Sequence, residues 1–478
     1  MKKFLLILLS LCMILSLCAC GGSEGGSEDD KAVQNGTSGG NQFMAGFGVA
    51  NITPNGSVSM AGYGDHDTRF NDGYVAYLEA RCVALIDENG DKLLMMTGDI
   101  SFAYPAIGNQ LLQKIEKNLG IPSDHVILSG THTHNSVATW MTGVPDVVSF
   151  NSEYLKGMLA AAEMALEDCK PATVCVGSAI TENLNFVRRY IMDDGSLIGD
   201  GAYGTGTTIV RHETDADPEM QMLKFVREGG KDILIANFQA HPHLEGKLSA
   251  LSPDTPGAFR DYMEKTKDIH CMYWNGAAGN INSSSRIEGE TRTKNRTEYA
   301  KLLGDYAIAV YDSMKEVKTG PIKVTSTTFV GKVNHTEHDK IADAQKVVDY
   351  FAETNDTSAT AQYAWQFDIN TLNHAKRIIA NGKLGETSEL NLTAFSFGDV
   401  SGITAEYEMF DTNGMYIKEN TPFEKTFIIG YAYPGTQGYV PSEEGYKNGG
   451  YEADNSTFEP GTGELLADAY LELLNQMK

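Results

Sequence analysis

The sequence has little positive charge and few long apolar segments, and both shortages exclude classes of protein. It carries 38 Lys and Arg residues against 63 Asp and Glu residues, which gives a formal net charge of −25. Nucleic acids and anionic membrane surfaces repel such a chain, so we expect neither as its main partner. The only long apolar run covers residues 4–20, at the start of the chain, which excludes a protein with several membrane spans.

Cysteine is also scarce, and its spacing carries no metal-binding signature. The chain has seven cysteines, none of them in a Cys-x-x-Cys pair, so no cysteine-based metal site is indicated. Four cysteines lie beyond residue 42, namely Cys82, Cys169, Cys175 and Cys271. Buried free thiols and an unassigned disulfide are the two interpretations that the sequence leaves open for them.

The apolar run at the start of the chain has the features of an export signal. Lys2 and Lys3 precede the apolar stretch 4–17, and the run ends in Cys18-Ala19-Cys20. This end resembles a bacterial lipobox, in which the chain is cut before a cysteine that then carries a lipid. We therefore predict a signal peptide over 1–19 and a lipid on Cys20. An ordinary cleaved signal and a buried helix are the alternatives.

The residues after the signal predict a tether and one large domain. Residues 20–42 are rich in Gly, Ser and acidic residues, a composition typical of a flexible linker. No comparable linker interrupts 43–478, which we expect to fold as a single catalytic domain. The lipid would hold this domain on the outer side of the cytoplasmic membrane, or in the periplasm of a host with two membranes.

Alternating strand and helix patterns predict an α/β fold. An apolar strand at 92–96 is followed by an amphipathic helix at 106–119, which Gly120 ends, and by a short apolar strand at 126–128. A strand, helix and strand in this order form a βαβ unit with parallel strands. We therefore expect mixed sheets covered by helices.

Two pairs of histidines follow predicted strands. His132 and His134 come directly after one strand, and His241 and His243 come directly after another. In an extended chain, residues two apart point the same way, and ligand sites of open α/β sheets lie at the carboxyl ends of strands. Histidines on surface loops are the alternative. Two such pairs among only 11 histidines favour a shared metal site, and neutral imidazole suits Zn²⁺.

Two further segments are weaker indicators. The loop 276–285 is rich in small residues, which let backbone N–H groups approach a substrate closely. A tight polar turn explains the same composition equally well. The Tyr- and Glu-containing stretches 403–406 and 438–452 select no functional residue by themselves.

Taken together, these segments resemble the neutral/alkaline (non-lysosomal) ceramidase family. The motifs that recur there in the same order are FGVANITP at 47–54, MAGYG at 60–64, SGTHTH at 129–134, the strand with His241, the Gly-rich loop at 276–282 and GYVPSEEGYKNGGYEA at 438–453. The resemblance covers about 43–478. It implies a hydrolase that cleaves the amide of N-acyl sphingosines with one zinc ion in a deep pocket.

The resemblance also implies roles for individual residues. The positions that match zinc ligands of the family are His132, His241, Glu406 and Tyr439. The positions that match substrate-contacting residues are His134 beside the carbonyl, Tyr451 at the oxyanion and Arg188 as the active-site arginine, with Arg189 as a competing choice.

The chain departs from the family pattern at two places. Asn282 occupies the position of a serine that is implicated in catalysis, so we include it among the candidate catalytic residues. The chain also ends after a predicted helix at 463–477, and we expect no immunoglobulin-like domain beyond it. The metal site is thus expected to be retained, while the identity of the substrate stays open.

Three functions remain as predictions. The first is zinc-dependent hydrolysis of a ceramide-like N-acyl amide, a small molecule or lipid, by a metal-activated water. The second is hydrolysis of another acyl amide or ester, such as a cell-wall or sugar derivative. The third is a substrate-binding lipoprotein of a transporter, which shares the signal and acidic charge but needs no metal-ligand set.

Overall fold

The computed structural model describes residues 42–478, except 65, 67, 200–207, 436 and 437. The predicted signal peptide, the predicted lipid site at Cys20 and all of the tether but its last residue lie outside the described residues. None of the helices in the described residues combines the length and the hydrophobicity that a membrane-spanning segment requires.

The strands follow one another along the chain as β1 Met44–Asn51, β2 Glu79–Ile86, β3 Lys92–Gly98, β4 Val126–Gly130, β5 Lys170–Ile180, β6 Phe186–Val187, β7 Arg189–Met192, β8 Leu197–Gly199, β9 Ile209–His212, β10 Glu219–Arg227, β11 Ile233–Phe238, β12 His270–Asn275, β13 Ile281–Asn282, β14 Lys315–Glu316, β15 Ile322–Lys332, β16 Thr387–Phe397, β17 Val400–Thr404, β18 Glu408–Met409, β19 Lys425–Ile429 and β20 Tyr439–Val440. The helices are α1 Pro105–Leu119, α2 Pro145–Glu167, α3 Asp254–Lys267, α4 Arg296–Tyr311, α5 Ile341–Thr354, α6 Thr357–Ala364, α7 Leu372–Asn381, α8 Asp411–Asn420, α9 Glu443–Lys447, α10 Tyr451–Asp454 and α11 Thr462–Met477.

A large mixed sheet forms the centre of the fold. Its strand order is β12-β11-β10-β5-β1-β2-β3-β4, with β14 also paired to β5. The β3–β4 and β11–β12 pairs are parallel, and a helix connects each pair. The predicted βαβ unit is therefore confirmed. The sheet curves so that β12 also contacts β2 and β3, which brings the carboxyl ends of β4 and β11 close together.

A second sheet stacks against one face of the large sheet. It has the order β15-β16-β17-β19. Its aromatic side chains, such as Phe395 and Phe427, join Val83, Met95 and Leu223 of the large sheet in one buried cluster. Because both faces of the large sheet are covered, its strands are apolar on successive residues rather than on alternate ones.

Helices cover the outer faces of both sheets. On the large sheet, α1 and α2 pack over β2 and β3, and α3 and α4 pack over β10 to β12. On the second sheet, α8 and α11 pack over the outer face. The result is a helix–sheet–sheet–helix sandwich within a single domain, in agreement with the predicted mixed sheets covered by helices.

A small helical insertion projects from the second sheet. It consists of α5, α6 and α7, which join β15 to β16. These helices have their own apolar cluster, which includes Ala344, Val347, Ala375 and Ile378. The insertion thus packs as a separate unit, and α7 borders the cleft described below.

The four cysteines beyond residue 42 are free thiols. Cys82, Cys175 and Cys271 are buried, and Cys169 is partly buried. Burial raises the pKa of the Cys169 thiol to about 11, with the carboxylate of Asp168 acting in the same direction. These thiols therefore contribute apolar packing rather than cross-links.

A buried ion pair connects the first half of the large sheet to the second. Asp99, which follows β3, accepts two hydrogen bonds from the guanidinium of Arg260 on α3, at 2.8 and 2.7 Å. The side chains of Asp99 and Arg260 are 0% and 1% exposed. Asp99 also accepts a hydrogen bond of 3.1 Å from the hydroxyl of Thr131. This pair therefore fixes the start of the loop that carries the first histidines.

Replacing Asp99 by Asn should destabilise the protein. The substitution removes the carboxylate that is hydrogen-bonded to the buried Arg260 guanidinium and leaves Glu79, at 3.7 Å, as its remaining ion-pair partner. Breaking a buried pair typically costs about 3–5 kcal/mol. Urea unfolding of Asp99→Asn against wild type measures the difference. The matched control is Asp124→Asn at an exposed position, which should change the free energy of unfolding by less than about 0.5 kcal/mol. Equal unfolding free energies for the two variants would contradict the role of the ion pair.

Candidate metal centre

His132 is held in an unusual backbone conformation. It follows β4 by two residues and has a φ of 67°, a left-handed conformation that residues other than glycine rarely adopt. Its backbone N–H donates to the carbonyl of Ile100 at 3.0 Å, and its ring Nδ1 donates to the carbonyl of Ser101 at 3.0 Å. The bond at Nδ1 fixes the tautomer in which Nε2 is an unprotonated acceptor.

His241 reaches the same place from β11. Its imidazole is completely buried, and its ring Nδ1 lies 3.0 Å from the carbonyl of Ile281, to which it donates. Its Nε2 lies 3.0 Å from a carboxyl oxygen of Glu408. The ring centroids of His132 and His241 are 4.9 Å apart. Both histidines therefore present Nε2 to a common centre.

A short parallel strand pair supplies a carboxyl group and a phenol to this centre. β18 and β20 pair so that Glu408 stands opposite Tyr439, and the Tyr439 hydroxyl lowers the pKa of the Glu408 carboxyl against the larger effect of burial. The carboxyl Oε2 of Glu408 lies 3.7 Å from Nε2 of His132. Gly279 makes this approach feasible, because a Cβ there would lie 2.5 Å from the Glu408 carbonyl oxygen.

Glu406, which the sequence predicts as the carboxylate ligand, has a different partner. Its carboxyl accepts a hydrogen bond from the backbone N–H of Asn391 on β16, and burial raises its pKa to about 7. β17 ends at Thr404 and β18 begins at Glu408. Side chains therefore do not alternate between two faces across this segment as they would in one continuous strand. This placement corrects the prediction, because Glu408 rather than Glu406 stands beside the histidines.

Burial dominates the protonation of the cluster. It lowers the pKa of His132 to about 3, although the nearby Glu408 carboxyl opposes this effect. It also lowers the pKa values of His134 and His241 far below the usual value. The three imidazoles are therefore neutral at pH 7, which is the form that binds metal ions. Burial raises the pKa of the Tyr439 phenol, while the Arg188 guanidinium pulls it down.

His134 lies beside His132, as the sequence predicts. Their Nε2 atoms are 3.3 Å apart, and one ring nitrogen from each of His132, His134 and His241 lies within 4.8 Å of the others. The left-handed backbone conformation of His132 brings the two rings together, whereas the sequence predicts an extended chain between them. Among the described residues, Nδ1 of His134 is a buried atom with no hydrogen-bond partner.

Asn282 lies next to the segment that carries His241 and His243. It belongs to β13, is 1% exposed, and its side-chain oxygen is 2.8 Å from Nε2 of His243. The neighbouring Ser283 donates to the backbone carbonyl of His241 at 3.0 Å. The structure thus places Asn282 in support of the His241–His243 segment.

Arg188 contacts the centre, and Arg189 does not. The guanidinium of Arg188 donates to the Tyr439 hydroxyl at 2.9 Å and to a carboxyl oxygen of Glu452 at 2.8 Å. Arg189 donates to the other carboxyl oxygen of Glu452 at 3.1 Å and pairs with Glu213. Of the two arginines that the sequence leaves open, Arg188 is therefore the one at the site.

An open cleft of about 420 Å³ lies over the centre. Tyr451, at the start of α10, lines it, and its hydroxyl oxygen accepts a hydrogen bond of 3.1 Å from Asn373. Because the hydroxyl accepts from Asn373, its own proton is available to a ligand. On another side, the aromatic rings of Phe102, Tyr104 and Trp140 line the cleft.

The clustered donors fit a divalent cation such as zinc. Two imidazole nitrogens, one carboxylate and one phenol converge, and all three chemical types are acceptable to Zn²⁺. The buried carboxyl of Glu408 lies 3.7 and 3.0 Å from Nε2 of the neutral His132 and His241, and a cation between them would stabilise its ionised form. The residues that would hold it are His132, His241, Glu408 and Tyr439.

Two residues at the centre carry no signal that selects them in the sequence. Glu408 lies in the same Glu-Tyr-Glu segment as Glu406, and only the break between β17 and β18 distinguishes them. Tyr431 stacks on His132, with ring centroids 3.7 Å apart and planes inclined by 17°. Nothing in its local sequence separates this tyrosine from the other 21 in the chain.

Known proteins share the family signature and the fold of this chain. A family model described as neutral/alkaline non-lysosomal ceramidase, N-terminal, matches residues 43–358. The structure of neutral ceramidase from Pseudomonas aeruginosa is similar with a TM-score of 0.69, at 17% identity, over 91% of this chain and 75% of that chain. A structure described as ceramidase complexed with C2 has a TM-score of 0.67 at the same identity and coverage.

The choice between the two glutamates can be tested by metal content. Glu408→Gln should lower zinc affinity by at least about 100-fold, because it removes an anionic ligand. Glu406→Gln is the matched control and should bind zinc as wild type does. Zinc per chain after dialysis against a weak chelator is the measurement. Loss of zinc in the Glu406 variant with retention in the Glu408 variant would reverse the assignment.

Proposed function

The chain belongs to the neutral/alkaline non-lysosomal ceramidase family, as its motifs predict, and on that premise we propose that it is a zinc-dependent hydrolase of N-acyl amides. The family and the fold are those of ceramidase-like hydrolases. The observation that carries the proposal is the convergence of His132, His241, Glu408 and Tyr439 at the floor of an open cleft. A protein that only binds a solute has no need for this set.

The proposed chemistry is addition of water to the amide carbonyl. A divalent cation held by the four residues would polarise the carbonyl and lower the pKa of the attacking water. Arg188 supports the ligand set from behind, since it donates to Tyr439 and is itself fixed by Glu452. The buried Arg188 guanidinium favours the ionised phenol of Tyr439, the form that would bind the cation.

Two groups on the cleft wall are positioned to stabilise the negative charge that develops on the carbonyl oxygen. The Tyr451 hydroxyl has a free proton, because Asn373 occupies its oxygen as a donor. His134 lines the cleft beside His132, with the two Nε2 atoms 3.3 Å apart, so its imidazole would lie next to the carbonyl oxygen of a bound amide. Donors preorganised in this way act without reorganisation at the moment of reaction.

The aromatic side of the cleft would bind the acyl chain. Tyr104 and Trp140 lie with ring centroids 5.2 Å apart, and Phe102 and Tyr104 with centroids 5.9 Å apart. Burying an apolar chain against such rings is favourable by about 25 cal/mol per Å². A related structure is described as a ceramidase complexed with C2, which supports a small amide of this general type for the present chain.

The site differs from the ceramidase pattern at Asn282. We propose that Asn282 orders the His241–His243 segment through its contact with His243 and takes no direct part in the reaction. The lipid anchor at Cys20, the location in the cell envelope and the domain limits 1–19, 20–42 and 43–478 stay predictions from the sequence.

A hydrolysis assay tests the proposed function. Purified protein with one equivalent of zinc should release laurate from N-lauroylethanolamine, and removal of zinc with a chelator should abolish the release. Adding zinc back should restore it. Laurate release that is unaffected by the chelator, or no release from any N-acyl amide by protein that binds zinc, would contradict the proposal.

Tyr451→Phe tests the role of the hydroxyl donor. Loss of one oxyanion donor typically lowers kcat by about 100- to 1,000-fold, and zinc content should stay unchanged because Tyr451 is not among the four ligands. Tyr416→Phe, at an exposed tyrosine on α8, is the control and should keep full activity. Equal kcat values for the two variants would exclude Tyr451 from the reaction.

A further inference from the structure

The cleft over the metal centre has a cationic side that the hydrolysis itself does not use. Opposite the aromatic rings, α7 contributes Lys376 and Arg377 to the lining. Among the described lining residues, the only carboxylate is Glu408, which belongs to the metal centre. This side is therefore locally positive, although the whole chain carries a net charge of −25.

Arg377 is a partly buried guanidinium without a counter-ion. One of its Nη atoms donates to the hydroxyl of Thr457 at 2.6 Å. Among the residues that the structure describes, no carboxylate forms an ion pair with it, whereas Arg81, Arg188, Arg189, Arg227, Arg260 and Arg296 each have one. Burial lowers the pKa of Arg377, while Tyr451 and the Glu408 carboxyl at the metal centre act in the opposite direction.

Arg377 packs against the backbone next to a proposed zinc ligand. Its second Nη atom lies 2.6 Å from the point that a Cβ on Gly438 would occupy, so a side chain at this position would displace the guanidinium. Gly438 also has a φ of 71°. Gly438 directly precedes Tyr439, and Arg377, Gly438 and Tyr439 all line the cleft.

A second cation and two side-chain amides lie on this side. Lys376 is exposed, and within the described part of the chain its ammonium group lies over the ring of Phe351, 5.8 Å from the centroid. Asn373 and Asn455 contribute side-chain amides to the lining. A cationic pair flanked by amide donors is the arrangement that binds a carboxylate, and a guanidinium can engage both of its oxygens.

From these contacts we infer that the substrate is an anionic N-acyl amide, specifically an N-acyl amino acid whose carboxylate binds Arg377 and Lys376. This inference rests on the proposed function and specifies its substrate. Arg377 lines the same cleft as the proposed ligands His132, Glu408 and Tyr439, so an anion bound to it must belong to the molecule whose amide lies at the metal centre. The carboxylate of an amino acid lies only a few bonds from its acylated nitrogen and meets this condition. Water adds across the C–N bond, its hydroxyl going to the acyl carbon and its proton to the nitrogen, which yields a fatty acid and a free amino acid.

The inference is tested by comparing two substrates of equal acyl length. N-Lauroylglycine carries a carboxylate, and N-lauroylethanolamine is its neutral counterpart of nearly the same size. Wild-type protein should show a kcat/KM for the glycine conjugate that is roughly 10- to 100-fold higher, the usual advantage of a charge-assisted contact. Arg377→Gln should bring the ratio close to one, and Lys376→Gln should lower it by a smaller factor.

Two further variants separate charge from folding. Arg377→Lys keeps the cation and should restore part of the preference, which a merely structural role of the guanidinium would not produce. Lys383→Gln removes an exposed lysine from the same insertion and should leave the ratio at the wild-type value. Thermal unfolding of each variant shows whether it is folded.

The outcomes distinguish this inference from the proposed function. Hydrolysis of both substrates with a wild-type ratio near one would overturn the inference and leave amide hydrolysis standing. A wild-type preference for the glycine conjugate that survives in Arg377→Gln would also overturn it. Hydrolysis of neither substrate by zinc-loaded protein would overturn the proposed function, and the inference with it.

Discussion

The site depends on one buried carboxyl group. Glu408 lies within 3.0 Å of His241 and 3.7 Å of His132 and is paired with Tyr439 across two short strands. Burial raises its pKa, and the Arg188 guanidinium opposes this effect. A cation between the four side chains would add positive charge beside the carboxyl group and favour its ionised form.

The sandwich is what allows distant parts of the chain to meet at Glu408. His132 follows β4 and His241 follows β11, which belong to the two ends of the large sheet, and curvature of that sheet brings them together. Glu408 follows β17 of the second sheet. The centre can therefore form only when both sheets have stacked. The ion pair between Asp99 and Arg260 connects the two halves of the large sheet that supply the histidines. Part of the folding free energy is used to hold His132 in a left-handed conformation.

Much of the fold and part of the site follow from the sequence. The β3–α1–β4 unit is predicted within a few residues, because apolar periodicity and Gly120 mark it. The spacing of the two histidine pairs after predicted strands likewise indicates the site. The sequence does not distinguish Glu408 from Glu406, because the difference depends on a break between two strands that has no local signal. Arg377 lies in an insertion, and its position at the cleft depends on tertiary packing that the local sequence does not indicate. The contact of the buried Asn282 with His243 depends on tertiary packing in the same way.

The proposed zinc ion would bind between two imidazoles, one carboxylate and one phenolate. X-ray absorption at the zinc edge of the zinc-loaded protein measures the number and type of the atoms bound to the metal. We expect only nitrogen and oxygen atoms bound to the zinc, with two histidines, and the loss of one oxygen ligand in Tyr439→Phe. A shell with three histidines, a sulfur ligand or a spectrum that Tyr439→Phe leaves unchanged would contradict this proposal.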